Sequence, residues 1–147
     1  MPNEHLFRTI IEDGFSDGDV SVIDDIASPD FVEHQYGFSP PDATGVKRAI
    51  TSLHRAFPDF SLTIEELTSS DDKVWGRMTG RGTHEGALGE IPPTGEEIEI
   101  TVIDIMRFED GALLEHWGVA DRFAMMEQLG MRPPPRSVMK ILRLVRG

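Results

Sequence analysis

The chain contains no cysteine. That absence excludes disulfide staples, thiolate nucleophiles, cysteine-ligated zinc and iron–sulfur clusters. No apolar run approaches the roughly 20 residues needed to cross a bilayer. The N-terminus, Met1-Pro2-Asn3-Glu4-His5, lacks a basic region followed by an apolar stretch, so the expected location is the cytoplasm. There is no G-x-S-x-G, no phosphate-binding Walker loop and no G-x-G-x-x-G. The acidic run Asp13–Asp19 lacks calcium-loop spacing. His5, His34, His54, His84 and His116 form no H-x-x-H pair, so a metal site has no support in the spacing. Covalent serine catalysis, nucleotide binding and metal-assisted hydrolysis are all without a motif.

Positive charge is also short. Lys and Arg number 14 against 26 Asp and Glu, a net charge of −12. Such a surface repels phosphate backbones, so nucleic acid is not an expected partner. The imbalance is uneven. Residues 131–147 hold Arg132, Arg136, Lys140, Arg143 and Arg146 and no acid, so the other 130 residues carry −17. A basic tail on an acidic body implies docking on itself or on a neighbouring subunit rather than on a membrane.

What is present reads as one folded domain over 1–130 with a basic, proline-led extension over 131–147. Helical spacing covers 4–16, then 20–26 behind Asp19, then 45–57 behind Thr44. A short extended piece, Phe31-Val32-Glu33-His34, lies between the second and third helices. After Pro58 the period falls to two. Strands are expected around Leu62–Leu67, over 73–85, 97–108 and 112–121, with a hairpin turn at Glu109-Asp110-Gly111. A short helix over 122–129 ends at Gly130, and an amphipathic helix follows Pro133-Pro134-Pro135, with Val138, Ile141, Leu142 and Val145 on one face. Helices followed by a strand meander predict an α+β fold: a curved antiparallel sheet with helices on one face.

Polar residues that interrupt apolar faces are the candidates for chemistry. In 97–108 the even positions are Ile98, Ile100, Val102, Asp104, Met106 and Phe108. A carboxylate there must be paired, protonated or facing a cavity. Trp117, Val119 and Asp121 share a face if no bulge intervenes, and a carboxylate beside an indole becomes a stronger base. Asp121 is equally suited to cap the helix that follows. Strand 73–85 places Trp75, Arg77, Thr79, Arg81 and Thr83 on one face, with Val74, Met78 and His84 on the other. Arg77 is a candidate partner for Asp104 or for a substrate oxygen.

An ordered set of motifs adds to this. Phe31-Val32-Glu33-His34, Phe57-Pro58-Asp59-Phe60, Gly82-Thr83-His84-Glu85-Gly86, Pro92-Pro93-Thr94-Gly95, Arg107-Phe108-Glu109-Asp110-Gly111, Glu115-His116-Trp117 with Asp121, and Gln128-Leu129-Gly130 resemble the SnoaL-like polyketide cyclases over about residues 5–130. The resemblance implies the cone-shaped α+β barrel shared with scytalone dehydratase, ketosteroid isomerase and nuclear transport factor two, three N-terminal helices enclosing a pocket, and association as dimers or tetramers. It also implies ring closure by intramolecular aldol condensation of a small hydrophobic substrate without metal or organic cofactor. The pocket aspartate of such enzymes matches Asp121. His84 and His116 are carried over as catalytic candidates, and His34, Arg77, Trp117, Trp75 and Asp104 as substrate contacts. Two other readings stay open: a non-catalytic binding module in which Asp121 is only a helix cap, and a dehydratase pairing His84 or His116 with Asp104.

Overall fold

The computed structural model describes residues 2–131 and 136–146. The proline run and the side chain of Val138 lie outside the described residues. The first helix expected over 4–16 is α1 (Pro2–Thr9), continued by a wider π-helical coil over Ile10–Ser16 that keeps Ile10, Ile11, Gly14 and Phe15 buried. A short α2 (Ser21–Ile26) leads directly into β1 (Ala27–Glu33). Helix α3 (Ala43–Ala56) begins two residues earlier than expected, because Asp42 rather than Thr44 is the cap. The Asp42 carboxylate accepts from the backbone N–H groups of Thr44 and Gly45. Four strands follow: β2 (Ser61–Ser70), β3 (Lys73–Thr83), β4 (Glu97–Glu109) and β5 (Ala112–Ala120). The β4–β5 turn uses left-handed residues Asp110 and Gly111, as the dipeptide predicts. Then come α4 (Arg122–Gln128) and α5 (Arg136–Val145). Among the described residues no helix is long and apolar enough to cross a membrane.

The strand order is β1-β5-β4-β3-β2, an open five-stranded sheet rather than a closed barrel. The meander pairs antiparallel, but β1 pairs parallel with β5, so the expected all-antiparallel sheet is mixed. A parallel partner requires a long crossover, and here α3 and three strands intervene before the chain returns beside β1. Local periodicity carries no signal for that pairing.

One sheet face is the core. It carries Val74, Met78, Ile98, Ile100, Val102, Met106 and Phe108, and the N-terminal coils, α2 and α3 bring Phe7, Ile10, Ile11, Ile23, Ile50 and Phe57 to it. The other face carries Trp75, Ile103 and Val119, all substantially exposed. Phe57 is fully buried, at the end of α3 where the chain turns toward β2. Phe57→Ala is expected to destabilise the fold by about 3–5 kcal/mol, read as a fall in the urea midpoint; a change below the precision of that measurement would contradict the placement of the core.

Candidate active site

Asp104 points from the core face of β4 into a space left by two glycines. Its cross-strand partners are Gly76 on β3 and Gly118 on β5. Neither has a side chain, and each vacancy is taken by another residue. A Cβ on Gly76 would lie 2.5 Å from the Phe7 ring. A Cβ on Gly118 would lie 2.1 Å from Gln35 Oε1 and 2.6 Å from Asp104 Oδ1. Phe7 therefore closes one side of Asp104, and the amide of Gln35 stands on the other.

His116 shares this inner face of β5 and lies between two carboxylates. Its Nδ1 donates to Glu33, with both carboxylate oxygens at 2.8 Å. Its Nε2 is 3.1 Å from Asp104 Oδ2, an ion-pair distance without an aligned hydrogen bond. Glu33 is delivered by the parallel pairing of β1 with β5, which sets it directly beside His116. It also accepts from the backbone N–H of Gln35 at 2.8 Å. All three ionisable residues are at most 4% exposed.

Burial alone would strip the proton from His116. The negative charges of Asp104 and Glu33 outweigh that effect and raise its pKa to about 10. The ring is therefore an imidazolium at neutral pH. Two polar atoms of the group remain buried without hydrogen-bond partners: Asp104 Oδ1, an acceptor, and His116 Nε2, a donor. The cluster is roofed by the loop after β1. Phe38 lies over the His116 ring, with centroids 6.5 Å apart. Arg122 fastens that loop by donating to the Tyr36 carbonyl at 2.7 Å, with its guanidinium over the Tyr36 ring.

The other sequence candidates are elsewhere. Trp117, Val119 and Asp121 do share a face, but it is the outer one, and Asp121 is exposed. Its carboxylate accepts from Ala124 N–H at 2.9 Å and caps α4, so it is not the desolvated acid expected beside Trp117. His34 stacks on Trp117 at 4.8 Å and bonds Glu115 on that outer face. Glu115 is also held by Arg107, and this bond, with that from His34, keeps its carboxyl below the usual range. Arg77 pairs with Glu66 at 3.0 Å rather than with Asp104, because alternation along β3 sends it outward. Trp75 is outward for the same reason and lines a cleft with Arg77 and Ile103. His84 is fully buried but lies eight residues beyond Gly76, roughly 26 Å of extended chain from Asp104. It packs on Phe57, and its Nδ1 accepts from Thr94 N–H at 3.2 Å, pinning the loop between β3 and β4.

The expected His–Asp alternatives therefore divide: His116 meets Asp104 and His84 does not. Glu33 and Gln35 belong to the cluster and were not among the sequence candidates. A signal for Glu33 existed, since Phe31 and Glu33 fall on one face of β1 and the carboxylate interrupts it as Asp104 interrupts β4. Gln35 has no such signal, because it lies on a loop. Among the described residues no three His, Asp or Glu side chains are arranged to hold a metal ion.

A family model for SnoaL-like polyketide cyclases matches residues 5–129. Among solved structures, TsrD from Streptomyces laurentii is 27% identical with a TM-score of 0.80, over 89% of this chain and 96% of that one. AclR from Streptomyces galilaeus, described as a candidate hydroxylase, is 26% identical with a TM-score of 0.79, over 98% and 91%. IdmH from Streptomyces antibioticus, described as a candidate polyketide cyclase, is 29% identical with a TM-score of 0.77, over 87% and 98%. No curated protein matches the chain in sequence.

Two outcomes follow from the geometry. Because the folded pKa of His116 lies above its unfolded value of 6.5, its stabilising contribution is complete below pH 6.5 and is lost as pH rises through about 10. Melting temperatures should fall over that window, and His116→Gln should flatten the fall; an equally steep fall in the variant would mean another group is responsible. Asp121→Ala should cost about 1 kcal/mol through the lost cap, measured by chemical denaturation.

Proposed function

The chain belongs to the SnoaL-like polyketide cyclase family, and from that premise we propose that it is a cyclase-type enzyme whose acid–base pair is Asp104 and His116. The observation that carries this reading is the adjacent, buried, unpartnered pair of atoms, Asp104 Oδ1 and His116 Nε2. An acceptor beside a cationic donor suits a carbon acid next to a carbonyl group. Asp104 Oδ1 takes the α-proton, and the His116 N–H faces the oxygen on which negative charge develops. The carbanion then attacks a second carbonyl of the same molecule. One C–H bond breaks, one C–C bond forms, and the proton held by Asp104 goes to the new alkoxide. Glu33 is a positioning residue: it accepts from Nδ1 and keeps the ring turned toward Asp104.

The substrate class follows from the walls. Phe7, Phe38 and the apolar residues flanking Asp104 on β4 favour a small hydrophobic, polyketide-like carbonyl compound. Gln35 and Phe38 lie on the loop between β1 and α3 that covers this pair. The same 3.1 Å His116–Asp104 contact also supports the second reading, a dehydratase that eliminates water from such a compound.

The test is exchange of the α-proton of a hydrophobic β-keto ester in deuterated water, followed by NMR. Asp104→Asn and His116→Gln are expected to slow exchange by about 10²–10⁴-fold, whereas Asp121→Asn leaves it near the wild-type rate. The reverse ranking would return the role of base to Asp121. No exchange with any such ester would favour a binding module, and loss of water from a hydroxylated probe would favour the dehydratase.

A further inference from the structure

The ring closure assigned to Asp104 and His116 needs one more group. Negative charge develops on two oxygens in turn. The first belongs to the carbonyl beside the carbanion, and the His116 Nε2–H serves it. The second belongs to the carbonyl under attack. That oxygen becomes an alkoxide and takes the proton held by Asp104 Oδ1, so it must lie against Asp104. His116 has no donor left for it, because Nδ1 is engaged by Glu33.

Among the described residues, the neighbours of Asp104 leave one source. Its cross-strand partners are Gly76 and Gly118, which carry no side chain. The Gly76 side is closed by the Phe7 ring, which has no donor. On the Gly118 side stands the Gln35 amide. A single carbon built on Gly118 would lie 2.1 Å from Gln35 Oε1 and 2.6 Å from Asp104 Oδ1, so the two side chains meet over that glycine. Any other residue at 118 would force them apart.

The backbone of Gln35 is tied on both sides. Its N–H donates to Glu33 at 2.8 Å, and its carbonyl accepts from the Phe38 N–H at 3.3 Å. One residue on, Arg122 donates to the Tyr36 carbonyl at 2.7 Å. A side chain aimed by a fixed backbone loses little further freedom when it engages a substrate. Gln35 is half-buried, so it is not sealed away from an incoming molecule. Its chemistry also fits. An amide donates without neutralising the base, as a lysine would, and without repelling it, as an acid would. A half-turn about its last bond exchanges Oε1 for Nε2 with no change of shape.

We propose that Gln35 is a third catalytic residue, whose side-chain N–H holds the oxygen of the second carbonyl while the carbon–carbon bond forms. The carbanion attacks the carbonyl carbon, and the C=O π pair moves to oxygen. Gln35 stabilises that oxygen by a hydrogen bond and keeps its own proton. Asp104 supplies the proton that completes the hydroxyl. The site then selects compounds whose two carbonyl groups are spaced to reach His116 and Gln35 together. The inference rests on the acid–base reading, but it concerns ring closure alone, since proton abstraction uses only Asp104 and His116.

The probe is methyl 3,7-dioxooctanoate, a β-keto ester whose second ketone is placed to close a six-membered ring. NMR in deuterated water follows α-proton exchange and ring closure in one sample. Gln35→Met keeps the length of the side chain and loses the amide. In that variant the ratio of ring closure to exchange should fall about 10²-fold, and the exchange that persists shows that the protein is folded. An unchanged ratio would overturn the proposal, and so would an equal fall in both rates, which would make Gln35 only a support for Asp104. Exchange without ring closure by the parent chain would overturn it too, while leaving the acid–base pair standing. No exchange by the parent chain would remove the acid–base reading itself, and this inference with it.

Discussion

The structure depends on an imidazolium held between two buried carboxylates. Glu33, His116 and Asp104 are all removed from water, and a lone charge in that position would cost several kcal/mol. Together they offset one another: Nδ1 meets Glu33, Nε2 faces Asp104, and the backbone N–H of Gln35 adds a further donor to Glu33. The hydrogen-bonding capacity left unused is concentrated on the buried atoms Asp104 Oδ1 and His116 Nε2. Removing the imidazolium would leave two buried carboxylates without a counter-charge, which is more damaging than removing an exposed ion pair such as Arg81–Glu99.

The topology is what brings these groups together. Antiparallel pairing of β4 with β5 places Asp104 near His116, and parallel pairing of β1 with β5 adds Glu33 from the far edge. Gly76 and Gly118 clear the ground on both sides of Asp104, so the carboxylate leans toward Gln35 and His116 instead of into a packed neighbour. The sheet thus separates two kinds of chemistry. Its inner face holds a dry, charged cluster among aliphatic and aromatic side chains. Its outer face holds exposed apolar residues among solvated ion pairs such as Arg77–Glu66, whose charges are screened and contribute little.

Much of this was legible beforehand, by one rule applied with uneven success. A carboxylate interrupting an apolar alternation marks Asp104, and the same pattern recurs at Glu33 beside Phe31 in β1, in a piece too short to stand out. His116 was named through its motif. The Trp117–Val119–Asp121 grouping was right about which residues share a face and wrong about its side. Period-two alternation sorts a strand into two sets but does not say which set is inward. That is decided by the neighbours, and on β5 the inner set is His116, Gly118 and Ala120, small or polar residues that look like the solvent side.

Taken alone, the order of residues settled the local elements: helices at 3.6-residue spacing, strands at period two, the Asp110-Gly111 turn and the family likeness carried by its motifs. Those features depend on neighbours within a few positions, where backbone preference and side-chain spacing act directly. Only the folded chain settled the direction of β1, the open edge of the sheet, the inward face of β5 and the meeting of Glu33, Asp104 and His116. These depend on pairing between segments some 80 residues apart, such as Glu33 with His116, and no short-range pattern encodes which distant strand a segment will join.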